Sequence, residues 1–200
     1  LHKQFGMYID QEKASIYSKI EHYPRTYLLK REHNDKKFLF YSTDSSIKID
    51  NVEIKILEEL SANARIQLVD LAQILGLNAK TVATRIKRLE IEKIIQGYSA
   101  ILNMRKLGFN YYKIYIDLQN FDEEILMKWG EYLQNNQYVV YRDFVIGGHA
   151  IEIEVEIPSQ EELRTLINEI KSAFPSSIKR YEVLHYYKEH KLLSMPWAKT

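Results

Sequence analysis

Arg85, Lys87 and Arg88 crowd into one helical turn of the stretch "TVATRIKRLE" (residues 81–90), with no acid before Glu90. Cations at this spacing suit phosphate clamping, and the paired donors of a guanidinium suit a guanine edge. Lys80 and the hydroxyls of Thr81 and Thr84 extend the set. A basic helix face is more often plain solvated surface, so the flanking sequence decides between the two readings. The rival chemistry is catalysis, because the chain has six histidines and many carboxylates. Yet no His-Glu-x-x-His, phosphate-cradling glycine loop or nucleophile elbow occurs. His149 reads as a turn residue and His185 as a strand residue, each a surface or hydrogen-bonded group rather than a ligand or base. No catalytic residue, metal site or cofactor is expected.

The elements that must position these side chains are bounded by composition. At 200 residues, 46% hydrophobic and 28% charged, the chain can build one large or two small cores. Lys+Arg 28 against Asp+Glu 27 leaves a net charge of +1, so attraction to nucleic acid must come from a local patch. The absence of cysteine removes disulfides and thiolate chemistry and fits a reducing compartment. No apolar run approaches the roughly 20 residues a bilayer requires, and "LHKQFGMYID" lacks a signal peptide's apolar core. A cytoplasmic chain with no membrane partner is expected.

After the polar break "STDSSIKID" (42–50), Asp50 with Glu53 three residues later forms an acidic analogue of a capping box. It predicts a helix bearing Val52, Ile56, Leu57 and Leu60 at helical spacing. A second helix reads through Leu68, Leu71, Ala72 and Leu75 and stops at Gly76. Asn78 caps a third, with Val82, Ile86 and Leu89 on its apolar side and Lys80, Thr81, Thr84, Arg85 and Arg88 mostly opposite. Two helices joined by a short Gly-containing turn, the second with basic and hydroxyl groups outward, is the helix-turn-helix pattern. "IIQGYSAIL" (94–102) then reads as short β runs around Gly97, as the wing of a winged helix.

From Phe109 the pattern changes. "YYKIYIDL" alternates, and "NFDEEILMKWGEYLQNN" reads as a helix capped by Asn120. "YVVYRDFVI", the turn "GGH" and "AIEIEVEI" form a hairpin in which Ile151, Ile153, Val155 and Ile157 alternate with Glu152, Glu154 and Glu156. A Ser-capped helix, "SQEELRTLINEIKSAF", and a last strand, "IKRYEVLHYY", complete βαββαβ, the ferredoxin-like split motif. The three glutamates are expected on the sheet's open face. Lys113, Arg142 and Arg180 are candidates to meet them within one sheet or across a two-fold axis.

"IDNVEIKILEEL", "LAQILGL", "TRIKRLE" followed by "IIQGY", and "KLGF" at the domain junction resemble the Lrp/AsnC (feast/famine) family of transcriptional regulators. The resemblance covers roughly residues 48–190, with Asn78 where the family usually has a capping serine and Lys93 where it usually has glycine. It implies an α+β chain: a winged helix-turn-helix DNA-binding domain at 48–104, a ferredoxin-like βαββαβ sensing and dimerisation domain at 109–190, and a tail at 191–200. Residues 1–47 lie outside it. There "PRTYLLKREHNDKKFLFYS" reads as a hairpin about His33 to Lys36 and is similar to "YVVYRDFVIGGHAIEIEV", as a remnant of a second sensing-type domain would be.

The expected function is therefore a sequence-specific, DNA-binding transcriptional regulator, a homodimer or higher oligomer whose partner is double-stranded DNA. Asn78, Lys80, Thr81 and Thr84 are assigned mainly to the groove. Arg85 is assigned to a guanine or the backbone, and Lys87 and Arg88 to phosphate. The resemblance places a small-molecule effector, such as an amino acid, at the turn holding Gly147, Gly148 and His149. That turn has no carboxylate for an ammonium group, so weak or no binding of free leucine, asparagine or glutamine is expected. Two alternatives stand beside this: a siroheme-decarboxylase-like enzyme of the same layout, and a metabolite-sensing interaction module that no longer binds DNA.

Overall fold

The computed structural model describes residues 6–8, 13–29, 38–41, 46–119 and 122–188. In chain order its elements are β1 (Ile16–His22), α1 (Thr26–Leu29), β2 (Phe38–Tyr41), α2 (Asn51–Ala62), α3 (Leu68–Leu75), α4 (Ala79–Ile91), β3 (Asn110–Leu118), α5 (Glu123–Asn135), β4 (Val139–Ile146), β5 (Ile151–Ile157), α6 (Gln160–Ala173) and β6 (Ile178–Tyr186). Short 3-10 turns lie at Gly6–Tyr8 and Met104–Leu107. The chain divides into two compact units, Leu1–Tyr41 with Asn103–Tyr187, and Ser42–Leu102 with Lys188–Thr200.

The helical unit is built from its caps. Asp50 accepts from the N–H groups of Val52 and Glu53, and Glu53 accepts from the Asp50 N–H in return, which starts α2. Gly76, at φ +64°, ends α3 in the left-handed conformation, and Asn78 Oδ1 accepts from Thr81 N–H at 2.8 Å to start α4. Ile56, Leu71, Ala72, Val82 and Leu89 form the core that the helical spacing predicts. The expected wing is corrected, because residues 96–103 pair with no strand. Ile94 and Ile95 lie in the reversal that follows α4, where both donate to Leu89 O, so the run before Gly97 cannot serve as a hairpin arm. The approach to this run is also unusual. Lys93 lies at φ 59°, the one non-glycine at positive φ among the described residues, and the reversal it makes lets Ile94 and Ile95 both donate to Leu89 O. Holding a side chain there costs roughly 1–2 kcal/mol, which explains why glycine is the easier choice at this position.

The sheet unit contains the expected order β3-α5-β4-β5-α6-β6, in one antiparallel sheet of strand order β2-β1-β4-β5-β3-β6. Ile151, Ile153, Val155 and Ile157 are each at most 1% exposed beneath α5 and α6, which contribute Trp129, Leu133, Leu166, Ile167 and Ile170. Trp129 stacks on Phe174 with ring centroids 3.9 Å apart. Ser159 caps α6 as read. For α5 the cap is Asp122, whose carboxylate accepts from Ile125 N–H at 2.7 Å; Asn120, the expected cap, lies outside the described residues.

The N-terminal segment adds two strands at the β4 side of this sheet. Its expected hairpin is corrected in one arm. Pro24 has no N–H for a ladder and stops β1, and Thr26–Leu29 then turns helical, so β2 pairs with β1. "IYSKIEH" does not alternate, which hid β1 from periodicity; the strand forms because its backbone groups complete the edge of β4. The turn at 33–36 and the tail at 191–200 lie outside the described residues.

Candidate nucleic-acid interface

The seven side chains expected to meet DNA sit on or beside α4, but they form two stripes rather than one. Positions 80, 84 and 87 share an exposed side. Lys80 and Lys87 are open to solvent there without an ion pair among the described residues, and Thr84 Oγ1 donates to Lys80 O at 2.9 Å. Positions 81, 85 and 88 face the N-terminal turn of α2 across a groove of about 480 Å³ lined by Asp50, Glu53, Lys80, Thr81, Thr84, Arg85 and Arg88.

In that groove the cations are matched by acids. Arg85 Nη1 donates to Asp50 Oδ2 at 2.5 Å, with Glu53 Oε1 3.7 Å away. Arg88 donates to Glu53 Oε1 at 2.6 Å, to Glu92 Oε1 at 3.1 Å and to Lys48 O at 3.1 Å. The hydrogen bond from Arg85 holds the Asp50 carboxyl below its usual range, and the bonds to Glu92 and then Glu53 raise Arg88. Arg88, expected to contact phosphate, has its donors shared among three acceptors in the free chain, one of them the buried Glu53. Asn78 likewise spends its side-chain oxygen on the cap. Sequence reading took Asp50 and Glu53 only as a capping pair. The available signal was their spacing of three, which matches the spacing of Arg85 and Arg88 on the facing helix.

The candidate effector turn is also more occupied than its own residues indicate. Gly147 has φ +79°, and a Cβ there would lie 2.9 Å from Ala14 O; a Cβ at Gly148 would lie 2.1 Å from Val145 Cγ2 and 2.5 Å from Glu152 Oε1. Both glycines are therefore demanded by close approach. His149 Nδ1 lies 2.9 Å from Asp117 Oδ1, its ring packs on Tyr115 at 4.7 Å, and its N–H donates to Glu152 Oε1 at 3.0 Å. The turn lacks a carboxylate in sequence, but the sheet brings two to it. His185 stacks on Tyr112 at 4.6 Å.

The open face of the sheet does carry Glu152, Glu154 and Glu156, but Glu152 and Glu156 are only 2% exposed. Lys113 Nζ lies 2.5 Å from Asp143, 3.3 Å from Glu152 and 3.5 Å from Glu154. Arg180 is on this face but pairs with Asp117 and Glu182. Arg142 is on the other one, in register with Ile153, stacked 4.5 Å from the Phe144 ring. The cation that sequence reading missed is Arg25, which grips Glu156 with two nitrogens at 2.7 and 2.9 Å while Tyr27 donates to the same carboxylate. Tyr111 donates to Glu154.

Among known proteins, the profile of the AsnC-type helix-turn-helix domain matches residues 49–90. The HTH-type transcriptional regulator LrpA of Bacillus subtilis is 31% identical over 123 residues, 61% of this chain and 89% of that protein. LrpB of the same organism is 26% identical over 125 residues, 62% of this chain and 82% of LrpB. Of solved structures, Escherichia coli AsnC superposes with a TM-score of 0.62 at 25% identity, covering 74% of this chain and 99% of that one. The Neisseria meningitidis regulator NMB0573, solved as a complex with L-Met, gives a TM-score of 0.65 at 17% identity over 74% of this chain and 95% of its own.

Proposed function

The chain belongs to the Lrp/AsnC family of transcriptional regulators, and from that premise we propose that the Lys80–Thr84–Lys87 stripe of α4 meets the DNA duplex. One observation carries this reading. The stripe is exposed, carries two cations and a hydroxyl, and has no acid within it, whereas the neighbouring stripe is neutralised by α2. A helix-turn-helix lays its second helix in the major groove, so α4 is the reader and α3 the helix that crosses the backbone. Lys80 and Thr84 face base edges or the adjoining phosphates, and Lys87 faces phosphate.

Replacing Lys80 or Lys87 by alanine should weaken binding to all duplexes alike and flatten the slope of log affinity against log salt by about one unit each. Titration of a random duplex at two salt concentrations measures this. Unchanged affinity and slope in both variants would exclude the stripe as the contact surface.

We further propose a homodimer or higher oligomer formed through the sheet unit, as the family's architecture supports, and a small-molecule effector at Gly147, Gly148 and His149. Asp117 and Glu152 are the carboxylates an ammonium group would meet there. Both already hold His149, so a free amino acid must displace a formed contact, which supports weak binding.

A further inference from the structure

We propose that Asp50 is a positioning residue that holds the Arg85 guanidinium away from the duplex, so that Arg85 engages DNA only by exchanging this carboxylate for a phosphate or a base. The inference rests on α4 being the duplex-facing helix.

The two oxygens of Asp50 have separate tasks. Oδ1 accepts from Val52 N–H at 2.9 Å and Glu53 N–H at 2.8 Å, which anchors the carboxylate to the first turn of α2. Oδ2 takes Arg85 Nη1 at 2.5 Å. The acid end of the pair is therefore fixed, and only the arginine end can swing. The pair is also open to competition, because the Asp50 side chain is 50% exposed and that of Arg85 30%. Arg88, although its own side chain is 42% exposed, is held by three acceptors that include Glu53 Oε1 at 2.6 Å, on a carboxylate only 1% exposed, whereas Arg85 lies 3.7 Å from that oxygen. Exposed ion pairs are weak and salt-sensitive, whereas a duplex phosphate offers a guanidinium an equally good charged acceptor. Arg85 is thus exchangeable and Arg88 is a brace.

Asp50→Asn isolates the latch. Asparagine caps helices as well as aspartate, so its side-chain oxygen keeps the Oδ1 task, while its amide nitrogen cannot accept from Arg85. The full chain is titrated with a random-sequence duplex at two salt concentrations as wild type, Asp50→Asn, Arg85→Ala and the double variant, with thermal midpoints in parallel. Asp50→Asn should tighten binding about two- to fivefold, the scale of an exposed ion pair, and steepen the salt slope by about one unit. Its midpoint should fall only slightly, since the lost pair is exposed, and the gain should vanish in the Arg85→Ala background. No gain, or an equal gain in both backgrounds, overturns the latch, the second outcome because it assigns the effect to Asp50's charge alone. If Asp50→Asn lowers the midpoint by more than Arg85→Ala does, Asp50→Ser repeats the test with another good cap. A wild-type chain that binds no duplex defeats the DNA-binding reading itself; one that binds while Asp50→Asn changes nothing defeats the latch only.

Discussion

Replacing Lys113 by methionine is expected to destabilise the sheet unit by about 3–5 kcal/mol at neutral pH, the scale of removing one partner from a buried charge cluster. The ammonium is 1% exposed and is surrounded by Asp143, Glu152, Glu154 and the Tyr17 hydroxyl at 2.5, 3.3, 3.5 and 2.9 Å. Burial alone would lower its affinity for a proton. The hydrogen bonds to Asp143 and Tyr17 and the nearby carboxylate charges outweigh that and hold it above the ordinary lysine range. Even with Lys113 present, burial pushes the carboxyls of Asp143 and Glu154 up. A carboxyl raised in the folded state binds protons more tightly than in the unfolded chain. Its contribution to stability is therefore present at low pH and is lost as pH rises through the folded value. Without the cation these groups shift further up, so the variant's deficit should be largest at neutral pH and shrink as pH falls toward the carboxylate range. Urea unfolding of both proteins at neutral pH and at about pH 5 reads this directly. An equal deficit at both pH values, or one below about 1 kcal/mol, would show that the carboxylates do not depend on Lys113.

Ile56→Ala should remove DNA binding by a different route. Ile56 is fully buried among Leu71, Ala72, Val82 and Leu89, the buried apolar core of the helical unit among the described residues. Deleting its outer carbons costs about 2–5 kcal/mol, a large share of what so small a core supplies. Packing against Ile56 also sets where α4 lies relative to α2, and with it the stripe of Lys80, Thr84 and Lys87. Duplex affinity should fall more than about tenfold at a temperature just below the wild-type midpoint, where a loss of this size leaves the helical unit mostly unfolded and apparent affinity scales with the folded fraction. Ile74→Ala is the control: Ile74 is 57% exposed, and an exposed substitution of this kind stays within about 0.5 kcal/mol. Helix content followed by circular dichroism, with duplex titration beside it, tests the pair. Retained binding by Ile56→Ala would mean that the three-helix core does not position the reader.

Much of this protein was legible because its signals are short-ranged. The Asp50–Glu53 box, the stop at Gly76 and the cap at Asn78 each close hydrogen bonds within four residues, so their spacing alone sets α2, α3 and α4. The alternation of Ile151, Ile153, Val155 and Ile157 with glutamates likewise assigned a covered and an open face to β5, because side chains on a strand point to opposite faces in turn. The wing was misread for the same reason: short apolar runs on either side of Gly97 satisfy the pattern of strands but say nothing about whether they pair.

Partners are where local pattern stops. Arg85 and Arg88 read as one free basic face because their acids lie 35 residues away on another helix. Arg25 meets Glu156 across 131 residues through the register of β1, β4 and β5, and β1 itself has no alternation to announce it. Arg142 looked equivalent to Lys113 until the register set it opposite Ile153, on the other face. By itself, then, the sequence determined α2, α3, α4 and α6 with their caps, the order β3-α5-β4-β5-α6-β6 and the family resemblance. Only the tertiary structure decided which cations stay without an ion pair among the described residues and which are neutralised, since that depends on distances between groups far apart along the chain, and a charge pair exists only when folding brings both members within a few ångströms.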